Sequence, residues 1–145
     1  MLGNYYPARF PSLWDELDAL VEEGRWTSVR EVRKELDRQN VSEHVDRWVE
    51  SIKGMFLSPS SDDLARVAEI LAVRHFQQLI GEKQRLRGWP VADPFVVARA
   101  MVVGGCVVTE EDRKPNAAKI PNVCEHFGVQ CTNLEGLMDR EGWRF

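Results

Sequence analysis

Apolar positions in the first half of the chain recur mainly at helical spacing. The pattern predicts helices over residues 12–23, 28–38, 42–53 and 61–79, and a short strand over 55–57. Gly24 is a natural end for the first helix, and Ser28 with Glu31 reads as a capping box that begins the second. The long fourth helix is predicted to be capped by the polar residues 61–63.

The second half alternates more regularly between helices and short apolar strands. Strands are predicted over 106–109 and 129–131, and helices over 93–103, 122–127 and from the capping segment 132–135 to just before Trp143. Asp93 reads as an N-cap followed by Pro94, and the helix they open is apolar almost all round apart from Arg99, which is typical of a buried helix. This alternation predicts an α/β domain with a parallel sheet.

Length and composition indicate one globular domain, which we expect to span residues 1–145. The 145 residues are 43% hydrophobic and 29% charged, values that exclude a disordered or fibrous chain. The net charge of −4 gives no sign of a nucleic-acid partner, although basic residues confined to one groove would still allow nucleic acid to bind. No apolar run is long enough to span a bilayer, and three cysteines fit a reducing compartment, so a cytoplasmic protein with no membrane partner is expected.

Cysteine and histidine patterns give little sign of a metal or catalytic site. Cys124, His126 and Cys131 suggest zinc, but their spacing is not a common structural zinc pattern, and only Cys106 is available as a distant fourth ligand. Buried free thiols are the favoured alternative. His44 and His75 have no neighbouring acid or nucleophile in the sequence. Phosphate-binding glycine loops, the nucleophile-elbow motif and the zinc-protease motif are all absent from the sequence.

Four carboxylates lie at or near strand ends and helix starts, where α/β folds usually bind ligands. Asp93 opens a helix, Glu110 and Glu111 follow a buried strand, and Glu35 lies in an early helix. Acids that converge there repel one another unless a hard cation such as Mg²⁺ or Mn²⁺ lies between them. Each acid also has an ordinary explanation, since Asp93 would serve as an N-cap, Glu35 as a solvated partner of Arg38, and the pair at 110–111 as loop charge. Spacing alone therefore leaves the function open.

Two segments of the second half resemble PIN-domain nucleases. Residues 92–100 and 107–111 match a pattern in which an Asp opens a helix and a hydrophobic strand ends in Thr-x-acid. The chain also resembles a bacterial PIN-like family over essentially its whole length, most specifically in the Lys-Ile-Pro-x-Val-Cys stretch at 119–124. Further matching segments lie at 5–7, 10–14, 35–36, 92–94, 108–109, 125–126, 131 and 141–145.

The resemblance implies a three-layer fold with a central parallel sheet flanked by helices, and a metal-dependent ribonuclease activity. It implies catalytic and metal-binding roles for Glu35, Asp93 and Glu111, with Glu110 as an alternative metal ligand, Thr109 in support, and Mg²⁺ or Mn²⁺ as the ion. Basic residues near these elements would contact RNA phosphates; they are Arg33, Lys34, Arg113, Lys114 and Lys119.

The front of the chain departs from the family pattern. PIN-like proteins begin with a hydrophobic strand ending in the first metal-binding Asp, just before the part that matches residues 2–7 here. That strand is central in the PIN sheet, so its neighbours would lose a hydrogen-bond partner without it. We therefore expect the sequence to be an N-terminally shortened version of a complete domain.

Three functional hypotheses follow. The leading one is a Mg²⁺- or Mn²⁺-dependent endoribonuclease that cleaves RNA, as the toxin of a toxin–antitoxin pair, with an antitoxin protein and a second copy of the chain as expected partners. The second is a non-catalytic PIN-like module that binds RNA or a protein, which the missing first acid favours. A receiver domain fits only the α/β pattern and residues 114–115, and it too lacks an acid-ended first strand.

Overall fold

A computed structural model describes residues 1–81 and 91–145, and these form a mixed α/β fold in which helices predominate. The α-helices are α1 (Pro11–Glu22), α2 (Arg30–Arg38), α3 (Glu43–Ser51), α4 (Ser61–Ala72), α5 (Asp93–Val103), α6 (Ile120–Phe127) and α7 (Leu134–Glu141). One turn of 3₁₀ helix covers Lys53–Met55, and a longer 3₁₀ segment covers Arg74–Leu79. The strands are β1 (Ser28–Val29), β2 (Phe56–Leu57), β3 (Cys106–Val108) and β4 (Gln130–Thr132).

The strands form two separate parallel pairs. Within the described ranges β1 pairs only with β2 and β3 pairs only with β4. The register of the second pair sets Val107 opposite Cys131, and the backbone N–H of Thr109 extends it by donating to the carbonyl of Thr132 over 2.8 Å. Helix α5 contacts both β1 and β3, so it underlies the two pairs. The parallel pairing expected from the sequence is confirmed, whereas a continuous central sheet is not seen in the described residues.

A groove of about 750 Å³ lies between the two pairs. Its walls include Ser28 and Val29 of β1 and the whole of β3, Cys106–Val108. Residues at the start of the chain, Met1 and Leu2 among them, also line it. The groove therefore borders both the β1–β2 pair and the β3–β4 pair.

Two hydrophobic clusters stabilise the fold. The larger one is built around α4, α5 and α6 and includes the fully buried Ile70, Val97 and Val123. The smaller one joins the start of the chain to α1 and α7, with Leu2 packed in the same cluster as Leu134. Helix α5 contributes to the larger cluster along most of its length, which confirms that it is a buried helix.

Arg99 is accommodated in that apolar helix by an ion pair. Its guanidinium Nη1 lies 3.2 Å from Oδ1 of Asp63, whose residue is only 3% exposed. Burial raises the pKa of the Asp63 carboxyl, but hydrogen bonds from Ser60 and Arg99 outweigh that effect and leave the pKa lowered. The charged exception on α5 therefore ties it to α4.

Several boundaries differ from the sequence-based expectation. Ser28 lies in β1 opposite Phe56 and forms no capping box, and α2 begins after Val29 without a side-chain cap. The predicted helix over 61–79 is interrupted, because Val73 is extended and the chain continues as 3₁₀ helix. Phe76 thereby reaches the larger cluster, where it contacts the rings of His126 and Phe127.

The cap of α4 also shifts by one residue. Ser60 and Asp63 form a reciprocal capping box, with side-chain to backbone distances of 3.1 and 2.8 Å.

In the described part of the chain, no helix combines the length and apolar character needed to cross a membrane.

Candidate functional site

Asp93 is the first residue of α5 and does not serve as its N-cap. The residue in the capping position is Ala92, which has helical backbone angles, and no side chain caps the helix. The N-cap interpretation that spacing favoured is therefore wrong. The Asp93 carboxylate is left without a capping role, and Asp93 is one of the residues that line the groove.

The surroundings of Asp93 disfavour its charge. Burial, followed by the negative charges of Glu111 and Glu35, raises its pKa to about 6, and the charge of Lys119 opposes that shift. The three carboxylates come from segments that are distant in the sequence. The fold therefore brings Glu35, Asp93 and Glu111 within electrostatic range of one another, with one lysine beside them.

Glu35 reaches this place from α2 and holds the start of α5. Its Oε1 accepts a hydrogen bond from the backbone N–H of Ala92 over 2.9 Å. The first N–H groups of a helix have no partner within the helix, so a carboxylate there is favoured both by hydrogen bonding and by the helix dipole. One carboxylate oxygen is thus engaged in structure, and the other has no hydrogen-bond partner among the described residues.

Glu111 is fixed in a similar way at the start of α6. Its Oε2 accepts from the backbone N–H of Ile120 over 2.9 Å, and its own N–H donates to Oγ1 of Thr109 over 3.2 Å. Thr109 directly follows β3, so its hydroxyl sets the turn that aims Glu111. The supporting role expected for Thr109 at a metal site stays a prediction, and the structure shows its hydroxyl bonded to the backbone of Glu111.

Glu110 points to a different helix. Its Oε1 accepts from the backbone N–H of Leu134 at the start of α7, over 2.9 Å. It is not among the charges that shift the pKa of Asp93. Of the two neighbouring acids, Glu111 therefore faces Asp93, and Glu110 links β3 to α7.

The donor chemistry of this cluster suits a hard divalent cation. Carboxylate oxygens are the ligands that Mg²⁺ and Mn²⁺ prefer, and a cation between Asp93 and its two acidic neighbours would relieve their mutual repulsion. Among residues 1–81 and 91–145, however, no three His, Cys, Asp or Glu side chains are arranged closely enough to hold an ion. The carboxylates of Glu35, Asp93 and Glu111 influence one another electrostatically, but their oxygens do not converge on a single metal position.

The predicted RNA-binding residues divide into paired and unpaired cations. Arg33 lies 3.3 Å from Asp37 and 2.8 Å from Glu50, and Arg113 forms an ion pair with Glu125. The remaining three are exposed and form no ion pair in the part of the chain that the structure describes; they are Lys34, Lys114 and Lys119.

Two long-range pairings shape the surroundings of Asp93: a hydrogen bond from Ala92 to Glu35 and the nearby charge of Lys119. The bond from Ala92 to Glu35 joins residues 57 positions apart, and Lys119 faces Asp93 across 26 positions. Neither pair shares a helix or strand, so periodicity carries no signal for them. The resemblance, which implies one site for Glu35 and Asp93 and basic residues such as Lys119 near it, is the sole indication of either pairing in the sequence.

The three cysteines are free thiols. Burial, together with the neighbouring Cys131, raises the pKa of Cys124 to about 12. His126 instead packs its ring against Phe76 and Phe127, and no zinc-like grouping is found among the described residues. The favoured interpretation, buried free thiols, is confirmed for Cys124, whereas Cys106 and Cys131 are free but only partly buried.

One family comparison covers nearly the whole chain. The family described as Domain of unknown function (DUF4411) matches residues 2–145. No curated protein and no solved structure matches the chain. Because the match covers all but the first residue, the chain belongs to the DUF4411 family.

Proposed function

We propose that the protein is a Mg²⁺- or Mn²⁺-dependent endoribonuclease of the PIN-like kind. The observation that carries this proposal is the raised pKa of Asp93, which is due to burial and to the facing charges of Glu111 and Glu35. Three acids brought together from three segments repel one another and so destabilise the fold, which favours a functional reason for the arrangement. A three-layer PIN-like fold belongs to the same proposal, and it is supported by two parallel strand pairs that both lie on α5.

Glu35, Asp93 and Glu111 are the residues that would hold the ion. A divalent ion at such a site supplies a hydroxide from bound water and neutralises charge that builds on a phosphodiester. The protein's own part is to aim the acids: Ala92 fixes one oxygen of Glu35, and Ile120 fixes one oxygen of Glu111. Lys119, exposed beside Asp93, would hold a substrate phosphate near the acids.

The test is RNA cleavage by Asp93→Asn. In the presence of Mg²⁺ or Mn²⁺ we expect the wild-type chain to cut a labelled single-stranded RNA and this variant to lose at least about 100-fold in rate. The matched control is Asp112→Asn, which removes an exposed acid of the neighbouring loop. Equal rates for Asp93→Asn and the wild type, with both folded by circular dichroism, would reject the assignment.

A non-catalytic module that binds RNA or a protein is the second candidate. It is favoured by the lack of a converged three-ligand set among the described residues and by the exposed lysine within the acidic cluster. It predicts RNA binding that EDTA does not change and no metal-dependent cleavage at any protein concentration. Incubating the same labelled RNA with and without EDTA separates the two candidates.

The cellular role we propose for the nuclease is that of a toxin. Such an enzyme needs an inhibitor, and an antitoxin protein encoded beside it is the expected partner. A pull-down with tagged protein expressed from its own operon would identify such a partner, and light scattering would test for the homodimer.

A further inference from the structure

We propose that an aromatic surface formed by Tyr6, Arg9 and Phe10 binds unpaired RNA bases by stacking. This inference rests on the proposed function in taking RNA as the ligand, and it adds a site for bases to residues that act on phosphates. None of the three residues takes part in the metal-dependent chemistry proposed above. Such a site favours single-stranded RNA, because the bases of a duplex are already stacked and paired.

Two aromatic rings four positions apart are exposed to solvent. Tyr6 is 54% and Phe10 is 40% exposed, whereas aromatic side chains usually bury most of their surface. Of the other aromatic residues that the structure describes, only Phe145 is comparably exposed. A single exposed apolar side chain needs no explanation, but two rings so close together form a patch.

The backbone and neighbouring rings hold both side chains in place. The N–H groups of Arg9 and Phe10 donate to the carbonyl of Tyr6 over 2.9 and 3.0 Å, which closes a tight turn between the two rings. The ring centroid of Tyr6 lies 4.9 Å from that of His44, and the ring centroid of Phe10 lies 5.4 Å from that of Tyr5. Each exposed ring is therefore supported by a partly buried one, so stacking a base on it costs little additional side-chain entropy.

Arg9 adds a cation to this aromatic surface. It lies between the two rings in the sequence, is exposed, and forms no ion pair among residues 1–81 and 91–145. A planar guanidinium stacks on nucleobases as aromatic rings do. Exposed rings with a cation beside them are the combination that binds single strands without reading their sequence.

The area of the aromatic surface favours a base over a protein partner. An aromatic side chain has about 200 Å² of surface. The exposed fractions of Tyr6 and Phe10 therefore leave roughly 200 Å² free on the two rings together. A stable protein interface buries about 800 Å² on each partner around an apolar centre. One or two stacked bases need no such extended surface.

The aromatic surface is connected to the groove that Asp93 lines. The ring of His44 packs against Tyr6, and Nε2 of His44 lies 3.4 Å from the carbonyl oxygen of Leu2. Leu2 and Asp93 both line the groove. We therefore expect one RNA strand to contact the rings and the acids together.

The experiment measures binding of a short, fluorescein-labelled single-stranded RNA in EDTA, where metal-dependent cleavage does not interfere. We expect Tyr6→Ala and Phe10→Ala each to weaken binding at least about fivefold, the lower end of the effect of losing one base–aromatic stack. Tyr6→Phe keeps the ring and should bind as the wild type does. Leu64→Ala is the matched control, because it removes a similarly exposed apolar side chain from α4. An abasic strand of the same length should bind the wild type and both alanine variants equally.

A measurement on the unaltered chain does not depend on how the variants fold. Iodouridine placed in the same RNA forms a covalent cross-link under ultraviolet light with an aromatic ring on which it stacks. We expect mass spectrometry to locate this cross-link at Tyr6 or Phe10.

Three outcomes would overturn the proposal. They are equal RNA binding by the wild type and both alanine variants, cross-links confined to other residues, and an equal loss of binding to the RNA and to the abasic strand. Failure of the nuclease proposal is distinguishable from these outcomes. Weaker binding by the alanine variants of a chain that never cleaves RNA supports the base site alone, whereas cleavage with unchanged binding supports the nuclease alone.

Discussion

At the residue scale, Asp93 makes the molecule sensitive to pH. Burial, together with Glu111 and Glu35, raises its pKa from an ordinary 3.8 to about 6, which corresponds to as much as about 3 kcal/mol against the ionised form. Because the folded-state pKa lies above the unfolded one, the native state binds more protons between about pH 4 and 6. The free energy of unfolding should therefore fall as the pH rises through that window.

Replacing Asp93 with Asn should remove this penalty. In EDTA at pH 7.5 we expect Asp93→Asn to be more stable than the wild type by about 1 to 3 kcal/mol, and we expect the difference to shrink toward zero near pH 4. Urea unfolding followed by circular dichroism at the two pH values measures it. Asp112→Asn is the control, since that carboxylate is exposed. A variant less stable than the wild type at pH 7.5 would show that the carboxylate has a stabilising contact.

The same variant also tests for the cation. If Mg²⁺ binds the acids, it should raise the Tm of the wild type and leave that of Asp93→Asn almost unchanged, because binding to the native state alone stabilises it by mass action. An equal rise in both would place the ion elsewhere on the molecule.

At the element scale, helices were predictable and their connections were not. The helical spacing of Leu13, Leu17 and Leu20 predicts α1 from neighbouring residues alone, and the structure has a helix there with all three side chains buried. Strand β1 is only two residues long, so it shows no two-residue period, and the sequence pattern predicts a helix cap at Ser28 instead. The break after Ala72 depends on where Phe76 packs, and that contact lies some fifty residues away along the chain.

The candidate site shows the same division. The residue types and the start of a helix at Asp93 are visible in the sequence, but spacing alone favoured an N-cap, and the acid cluster was expected only through the resemblance. The bonds that aim Glu35 and Glu111 join elements that meet only in the folded molecule. No periodic pattern encodes such a contact.

The bond from Ala92 to Glu35 allows the structural and chemical roles of this glutamate to be separated. Glu35→Gln keeps an oxygen that can accept from the first turn of α5, so we expect little change in stability and a loss of metal-dependent cleavage. Glu35→Ala removes the acceptor as well and should lower the free energy of unfolding by about 1 kcal/mol. Gln39→Ala, which changes an exposed residue directly after α2, is the control. Full activity in Glu35→Gln would assign this residue a structural role alone.

At the scale of the whole molecule, the charge distribution limits how RNA can bind. The net charge is −4, and ion pairs occupy Arg33 and Arg113. Among residues 1–81 and 91–145, the cations expected near the acids that form no ion pair are three lysines, in contrast to the broad basic surface typical of proteins that bind nucleic acid tightly without a metal. Affinity should consequently be modest and only weakly dependent on salt.

That expectation can be measured with an inactive form of the chain. Each phosphate contact with single-stranded nucleic acid contributes a slope of about −0.7 to log K against log salt, so three lysines give a slope of about −2. We expect this slope for Asp93→Asn binding a labelled RNA in EDTA, and a slope nearer −1.4 when Lys119→Gln is added. Lys53→Gln is the matched control, because its ammonium is paired with Glu50. A slope steeper than about −4 would mean that RNA meets a wider set of cations than those beside the acids, and it would move the binding surface away from Asp93.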